Sequence, residues 1–252
     1  MAEDKNNLKL DAVHEQIREP LKAFAERLIA ELGGNLQSIT VVGSSLTPDF
    51  KPGQSDINTV VVLGERTLST LNSIAGMAKP MSKKKISAPL LMTAPYIERS
   101  LDVFGAEFLD FQLTHETILG SDPFASLSFD KKDVRLQCER ELKAMLIRLR
   151  QGYIAAAANK RLVRDMLIST TKGLAPLLRA MLWLKDVERP AETEPTFNKA
   201  GDEFSIGMRP LITTGRWSRE KVRLSDAEIQ NAFESVYTTV EQLALMIDKL
   251  GV

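Results

Sequence analysis

Apolar residues recur every three or four positions between Leu8 and Leu32, at Val13, Ile17, Leu21, Phe24, Leu28 and Leu32, the spacing of one helical face. Gly33-Gly34 closes this segment, and Pro20 within it predicts either a kink or the true helix start. The period then shortens. Ile39-Thr40-Val41-Val42 and Ile57 to Leu63 are β-branched runs bounded by Gly, Pro, Asp and Ser; the nearly continuous Val60-Val61-Val62-Leu63 suits a strand buried on both faces. Leu68 to Met81 returns to helical spacing. Ala88 to Met92 reads as a third strand, Ala94 to Leu101 as a short helix, and Ala106 to Leu113 as a fourth strand.

Beyond Gly120-Ser121-Asp122-Pro123 every apolar pattern is helical. Val134, Cys138, Leu142, Met145 and Leu149 make one face; Leu162, Met166, Leu174, Leu178, Met181 and Leu182 make another, with Pro176 predicting a kink. Ile229, Phe233, Val236, Val240, Leu243, Ile247 and Leu250 alternate steps of four and three, the pattern of a bundle or coiled-coil seam. Strands first and helices afterwards predict an α+β domain over residues 1–125 followed by an all-α helical bundle over 126–252, with the boundary between Asp122 and Asp130.

Composition narrows the class. Of 252 residues, 44% are hydrophobic and 26% charged, an ordinary globular balance that excludes a disordered or fibrous chain. The longest apolar runs fall far short of the roughly 18 residues that span a bilayer, so no membrane partner is expected. The opening Met-Ala-Glu-Asp-Lys lacks a basic stretch followed by an apolar one, which predicts a cytoplasmic protein. The single cysteine, Cys138, excludes an internal disulfide and a multi-Cys zinc site, and His14 and His115 alone argue against a histidine metal site. Net charge is zero, yet Met1 to Asp130 carries 12 basic against 17 acidic residues and the remainder 21 against 16. Either the halves complement each other or the second meets an anion.

The stretch with chemical content is Val41-Val42-Gly43-Ser44-Ser45, a polar connection, then Asp56-Ile57-Asn58 opening the next strand. Gly43 lets a phosphate approach the backbone, while the hydroxyls of Ser44 and Ser45 and nearby N–H groups can donate to it. Period-two geometry puts residues 56 and 58 on one sheet face, where two oxygen-bearing side chains can hold a divalent cation.

Gly43, Ser44 and Asp56 in this arrangement resemble the signature of the DNA polymerase β-like nucleotidyltransferase superfamily: Gly-Ser, a roughly ten-residue connection, then Asp-x-Asp or Asp-x-Glu at a strand head. The helical second half resembles the C-terminal bundle of the aminoglycoside and minimal members. The resemblance implies a mixed sheet with flanking helices followed by a helical bundle. It further implies transfer of a nucleoside monophosphate from an NTP such as ATP to an acceptor hydroxyl, with Mg2+ or Mn2+ ions stabilising the attacking and leaving oxygens. The implied metal ligands are Asp56, Asn58 and Glu107. Asn58 stands where the family has a second carboxylate and supplies no charge, so weaker metal binding is expected. The third carboxylate is assigned to Glu107, at the head of the predicted fourth strand, with Asp110 as runner-up.

Lys172 and Arg179, seven apart on one side of a predicted helix, are the candidate phosphate contacts. Lys83-Lys84-Lys85 follows a predicted helix end, where cations are favoured; with 6% aromatic residues and no interleaving, no nucleic-acid stacking platform is present. His115, just after the predicted fourth strand, is within reach of the cleft but reads as a surface or hydrogen-bonded residue, Cys138 as core, and Trp217 as an interface or stacking residue. Three functions follow: a metal-dependent nucleotidyltransferase acting on an unidentified acceptor, a catalytically degenerate relative that binds nucleotides or proteins, or a helical interaction protein forming a homodimer through the Ile229 to Leu250 seam.

Overall fold

The computed structural model describes residues 8–157, 159–220 and 222–251. The chain forms two compact units, the first running to Leu101 and including Phe108–Ser128, the second holding Asp102–Glu107 and the residues from Phe129 onward.

In the first unit, α1 (Glu15–Leu32) begins where the His14 ring nitrogen Nδ1 accepts from the Gln16 N–H at 3.3 Å. Pro20 lies inside this helix and neither starts nor ends it. The stripe Ile17, Leu21, Phe24, Leu28 and Leu32 is buried, as its spacing predicts. Four strands follow: β1 (Leu36–Val42), β2 (Asn58–Leu63), β3 (Leu90–Met92) and β4 (His115–Leu119), in the order β3-β2-β1-β4. β1 pairs antiparallel with β2 and β4, and β2 pairs parallel with β3, so the sheet is mixed. Ile39, Val41, Val61 and Ile118 join the α1 stripe in one core. Thr40, Val42, Val60 and Val62 alternate with them on the opposite face and are also buried. The connecting helices are α2 (Leu68–Ala75), α3 (Ala78–Lys83), α4 (Ala94–Glu98) and α5 (Gly105–Leu113), of which the last belongs to this unit from Phe108 on.

The fourth strand corrects the sequence reading. Ala106 to Leu113 is helical and forms α5, and the strand lies just after it at β4. A short apolar run cannot by itself distinguish helix from strand. Here Ala106, Leu109 and Leu113 also recur at steps of three and four, which serves a helix. β4 escaped notice because it opens on the polar pair His115-Glu116, leaving only Thr117 and Ile118 as β-branched residues.

The second unit is all-helical, with α6 (Lys131–Ala156), α7 (Lys160–Leu184), α8 (Thr193–Phe204), α9 (Arg209–Arg216) and α10 (Asp226–Asp248). Val134, Cys138, Leu142, Met145 and Leu149 are buried along α6, and Pro176 sits within an uninterrupted α7. The C-terminal seam is covered by the chain's own helices: Ile229, Val236, Val240, Leu243 and Ile247 are buried, and α10 packs against α6, α7 and α9. Among the described residues no helix is long and apolar enough to cross a membrane.

Candidate functional site at the head of the sheet

β1 ends at Val42, and Gly43, with φ of +77°, turns the chain into a short 3-10 segment, Gly43–Leu46. The left-handed backbone at Gly43 is the reason a glycine suits this position. Its N–H donates to the Thr114 carbonyl at 3.0 Å, tying the turn to the head of β4. Val42 is paired with Asn58 on one side and with His115 on the other. Directly paired residues share a sheet face, so Asn58 and His115 flank Val42 at the same edge. Ser44, Asp56 and Asn58 are exposed.

The approach to β2 is tightly built. Ser55 N–H donates to the Lys51 carbonyl at 2.8 Å, and Lys51 N–H to Ser55 Oγ at 3.1 Å. Ile57, between Asp56 and Asn58, bridges Ile86 in parallel: its N–H donates to the Lys85 carbonyl at 2.7 Å and its carbonyl accepts from Ser87 N–H at 3.0 Å. The chain at Lys85 therefore runs alongside Asp56-Ile57-Asn58. The hydroxyls of Ser45 and Thr59, both about 1% exposed, are buried with no partner among the described residues.

His115 is held from two sides. Its Nε2 lies 2.8 Å from Asp122 Oδ2, and the ring meets the buried Phe124 edge-on at 5.7 Å. Asp122 Oδ1 also accepts from the N–H groups of Phe124 at 2.8 Å and Ala125 at 3.3 Å. Partial burial alone would raise the Asp122 pKa, but the hydrogen bonds from His115 and these amides outweigh it and hold the carboxyl below its ordinary value. The anionic carboxylate fixes the proton on Nε2.

The remaining predicted site residues lie elsewhere. Asp110 is buried on α5, where its carbonyl accepts from Thr114 Oγ1 at 3.0 Å. Glu107, at the start of α5, accepts a short hydrogen bond from Gln137 Nε2 of α6. Gln137 Oε1 in turn accepts from Ala106 N–H at 2.9 Å. Neither carboxylate is on a strand, because the segment carrying them is a helix. Lys172 is exposed on α7. The side chain of Arg179 is buried and pins a loop: Nε donates to the Pro190 carbonyl at 3.0 Å and one Nη to that of Ala191 at 2.9 Å. Glu107, Lys172 and Arg179 belong to the helical unit, whereas Gly43, Ser44, Ser45, Asp56, Asn58 and Asp110 belong to the sheet unit. Cys138 is core, its thiol pushed up to about 12 by burial first and by the charges of Glu107 and Glu141 second. Trp217 is buried, and its carbonyl accepts from Arg164 at 2.8 Å.

The donor set does not fit a two-ion centre. Among the described residues no group of three or more His, Cys, Asp or Glu is placed to hold a metal. β2 begins with a neutral amide, and β3 is Leu90-Leu91-Met92 without a carboxylate. The sequence reading names His115 and Lys85 but misses that His115 pairs with Asp122 and that Lys85 stands beside the approach to β2. The seven-residue spacing of His115 and Asp122 gives no pattern, and the Ile57–Ile86 bridge is a tertiary contact.

No family model matches the chain, and no curated protein matches its sequence. Its fold is nucleotidyltransferase-like, a mixed sheet with flanking helices followed by a helical region. Among solved structures it is similar to spectinomycin adenyltransferase AAD(9) from Enterococcus faecialis, determined with ATP and spectinomycin. That likeness has a TM-score of 0.58 at 11% identity and covers 88% of this chain and 98% of the other.

Proposed function

We propose that this chain binds a nucleoside triphosphate at the head of its sheet and has given up the metal-dependent transfer that its fold supports elsewhere. The carrying observation is the edge itself. The Gly43 turn and exposed Ser44 sit beside Asn58 where a second carboxylate would stand, leaving Asp56 as the lone acid of the pair. Glu107, the residue assigned as third carboxylate, is committed to Gln137. A nucleotidyltransferase needs fixed negative ligands to hold its ions against a triphosphate, and the approach to β2 offers one, Asp56, followed by the neutral Asn58. The solved relative was determined with ATP, which makes ATP the first nucleotide to test.

The test is titration calorimetry of ATP, GTP, CTP and UTP with magnesium, manganese or EDTA, together with pyrophosphate release. The expected result is binding of at least one nucleotide, lost in Ser44→Glu, with no release. Pyrophosphate release by the native chain would reinstate the transferase reading, with Mg2+ or Mn2+ at Asp56 and an acceptor still to be found. Absence of binding would end the nucleotide assignment.

A further inference from the structure

Asn58 removes a negative charge from the sheet head, and the chain that runs beside it adds positive ones. α3 ends in Lys83, Lys84 follows as its cap, and Lys85 comes next, all three exposed. The Ile57 N–H to Lys85 carbonyl bond of 2.7 Å and the Ile57–Ile86 bridge hold Lys85, the last of the three, alongside the approach to β2 at Asp56-Ile57. Lys85 itself has φ of +59°, a left-handed conformation that favours glycine. That conformation closes α3: Lys85 N–H donates to the Ser82 carbonyl at 3.1 Å and Ile86 N–H to the Met81 carbonyl at 3.0 Å, a helix-ending turn that usually takes glycine and that fixes the backbone of Lys85 in place. Lys51 is also exposed, in the tight turn leading to Asp56. The segments 51–58 and 83–87, which meet at the Ile57–Ile86 bridge, carry four exposed lysines, Lys51, Lys83, Lys84 and Lys85, and one carboxylate, Asp56.

We propose that this edge binds the polyphosphate of its ligand directly through lysine ammonium groups, Lys85 foremost, and not through a bound magnesium ion. The inference rests on the nucleotide reading above and names how that ligand is held. Ammonium groups act as point charges on phosphate oxygens, and the Gly43 turn brings backbone N–H groups to the same edge. Asp56 then opposes the ligand: in a metal site it attracts the ion, whereas in a lysine site its charge repels the phosphate.

The experiment is calorimetry of ATP and of inorganic tripolyphosphate, each in EDTA and in magnesium, on the native chain, Lys85→Gly and Asp56→Asn. Lys85→Gly relieves the left-handed strain as it removes the charge, so its melting temperature should hold or rise and lost binding cannot be blamed on unfolding. Expected are native ATP binding in EDTA at least as tight as in magnesium, displacement by tripolyphosphate, about tenfold weaker binding in Lys85→Gly, and tighter binding in Asp56→Asn. Binding that requires magnesium and disappears in Asp56→Asn would overturn the proposal while leaving the nucleotide reading intact. So would ATP binding unchanged in Lys85→Gly or undisturbed by tripolyphosphate. A native chain that binds no nucleotide in either condition overturns the nucleotide reading, and this inference with it.

Discussion

Gln137 closes the first turn of α5 around Glu107: one end of its amide accepts from Ala106 N–H at 2.9 Å and the other donates to the Glu107 carboxylate. The start of a helix leaves N–H groups without intrahelical partners, and a side chain from α6 supplies the acceptor that a local cap ordinarily would. Gln137 is 4% exposed, so both halves of its amide must be satisfied within the protein. Gln137→Leu should therefore cost about 1–3 kcal/mol, because it leaves the Ala106 donor and a carboxylate short of partners. Glu107→Gln keeps an acceptor in place and should cost less. Chemical denaturation of both variants checks the order. A milder Gln137→Leu than Glu107→Gln would show that the amide is not the cap.

Arg179 carries a comparable duty for the loop before α8. Its buried guanidinium donates to the Pro190 and Ala191 carbonyls, two acceptors that a planar fork reaches together and a lysine does not. Arg179→Lys should consequently fail to rescue the stability lost in Arg179→Ala, expected at about 2 kcal/mol or more. Melting curves of the two variants test this, and full rescue by lysine would contradict the fork.

Two glycines separate backbone strain from collision. Gly43 and Gly120 have nearly equal φ, +77° and +76°. A Cβ at Gly43 would meet nothing within 4 Å, whereas one at Gly120 would lie 2.0 Å from the Gln37 carbonyl oxygen. Gly43→Ala should then cost about 1–2 kcal/mol from the left-handed conformation alone. Gly120→Ala should cost distinctly more, since backbone must move. Equal losses in denaturant melts would mean that the strand β1 yields freely at Gln37.

These particulars mark what the chain discloses before it folds. The α1 stripe, the doubly buried β2 and the α10 seam were legible because period and burial are the same fact seen twice. Gly43, Ser44 and Asp56 were legible as a group because the turn and the strand head are local in sequence. α5 was misread since a run such as Ala106 to Leu113 satisfies both periods, and what decides is the helix cap from Gln137, 31 positions from Ala106. The strand placement behind the choice between Glu107 and Asp110 goes with it, since both stand on α5. Lys85 reaches the sheet head through the isolated Ile57–Ile86 bridge and His115 through the β1–β4 pairing, which no local pattern encodes.

Cys138 gives a chemical probe of the helical unit. With its thiol buried and pushed up to about 12, the reactive thiolate is scarce at neutral pH. Iodoacetamide at pH 8 should leave the native chain unlabelled and label it fully in denaturant, as mass spectrometry would read. Rapid native labelling would mean that α6 opens at this position.

The pH dependence of stability follows from which groups are held charged. Asp122 is depressed by His115 and two backbone amides, which outweigh the upward push of its partial burial. Glu228 is depressed by the Ser225 backbone N–H and hydroxyl in the capping box that opens α10. A carboxylate depressed on folding contributes stability above its unfolded pKa, about 4, and that contribution is lost as pH falls through the lower folded value. Lys143, raised by Glu139 and Asp248, has the opposite sign. Its contribution is complete below the unfolded lysine pKa, about 10.4, and fades as pH climbs through the raised one. Burial also keeps the Cys138 thiol protonated in the fold while the unfolded chain ionises it above about pH 8.5, so stability should be flat between about pH 5 and 8 and fall on both sides. Asp122→Asn and Glu228→Gln should each lower the plateau and flatten the acid limb, whereas Lys143→Met should lower the plateau, ease the alkaline limb and, because Lys143 is the first cause of the depressed Glu139, ease the acid limb too. Thermal melts from pH 2 to 11 on the three variants decide it, because an acid limb unaltered by either carboxylate change would place the acid-sensitive groups elsewhere in the molecule.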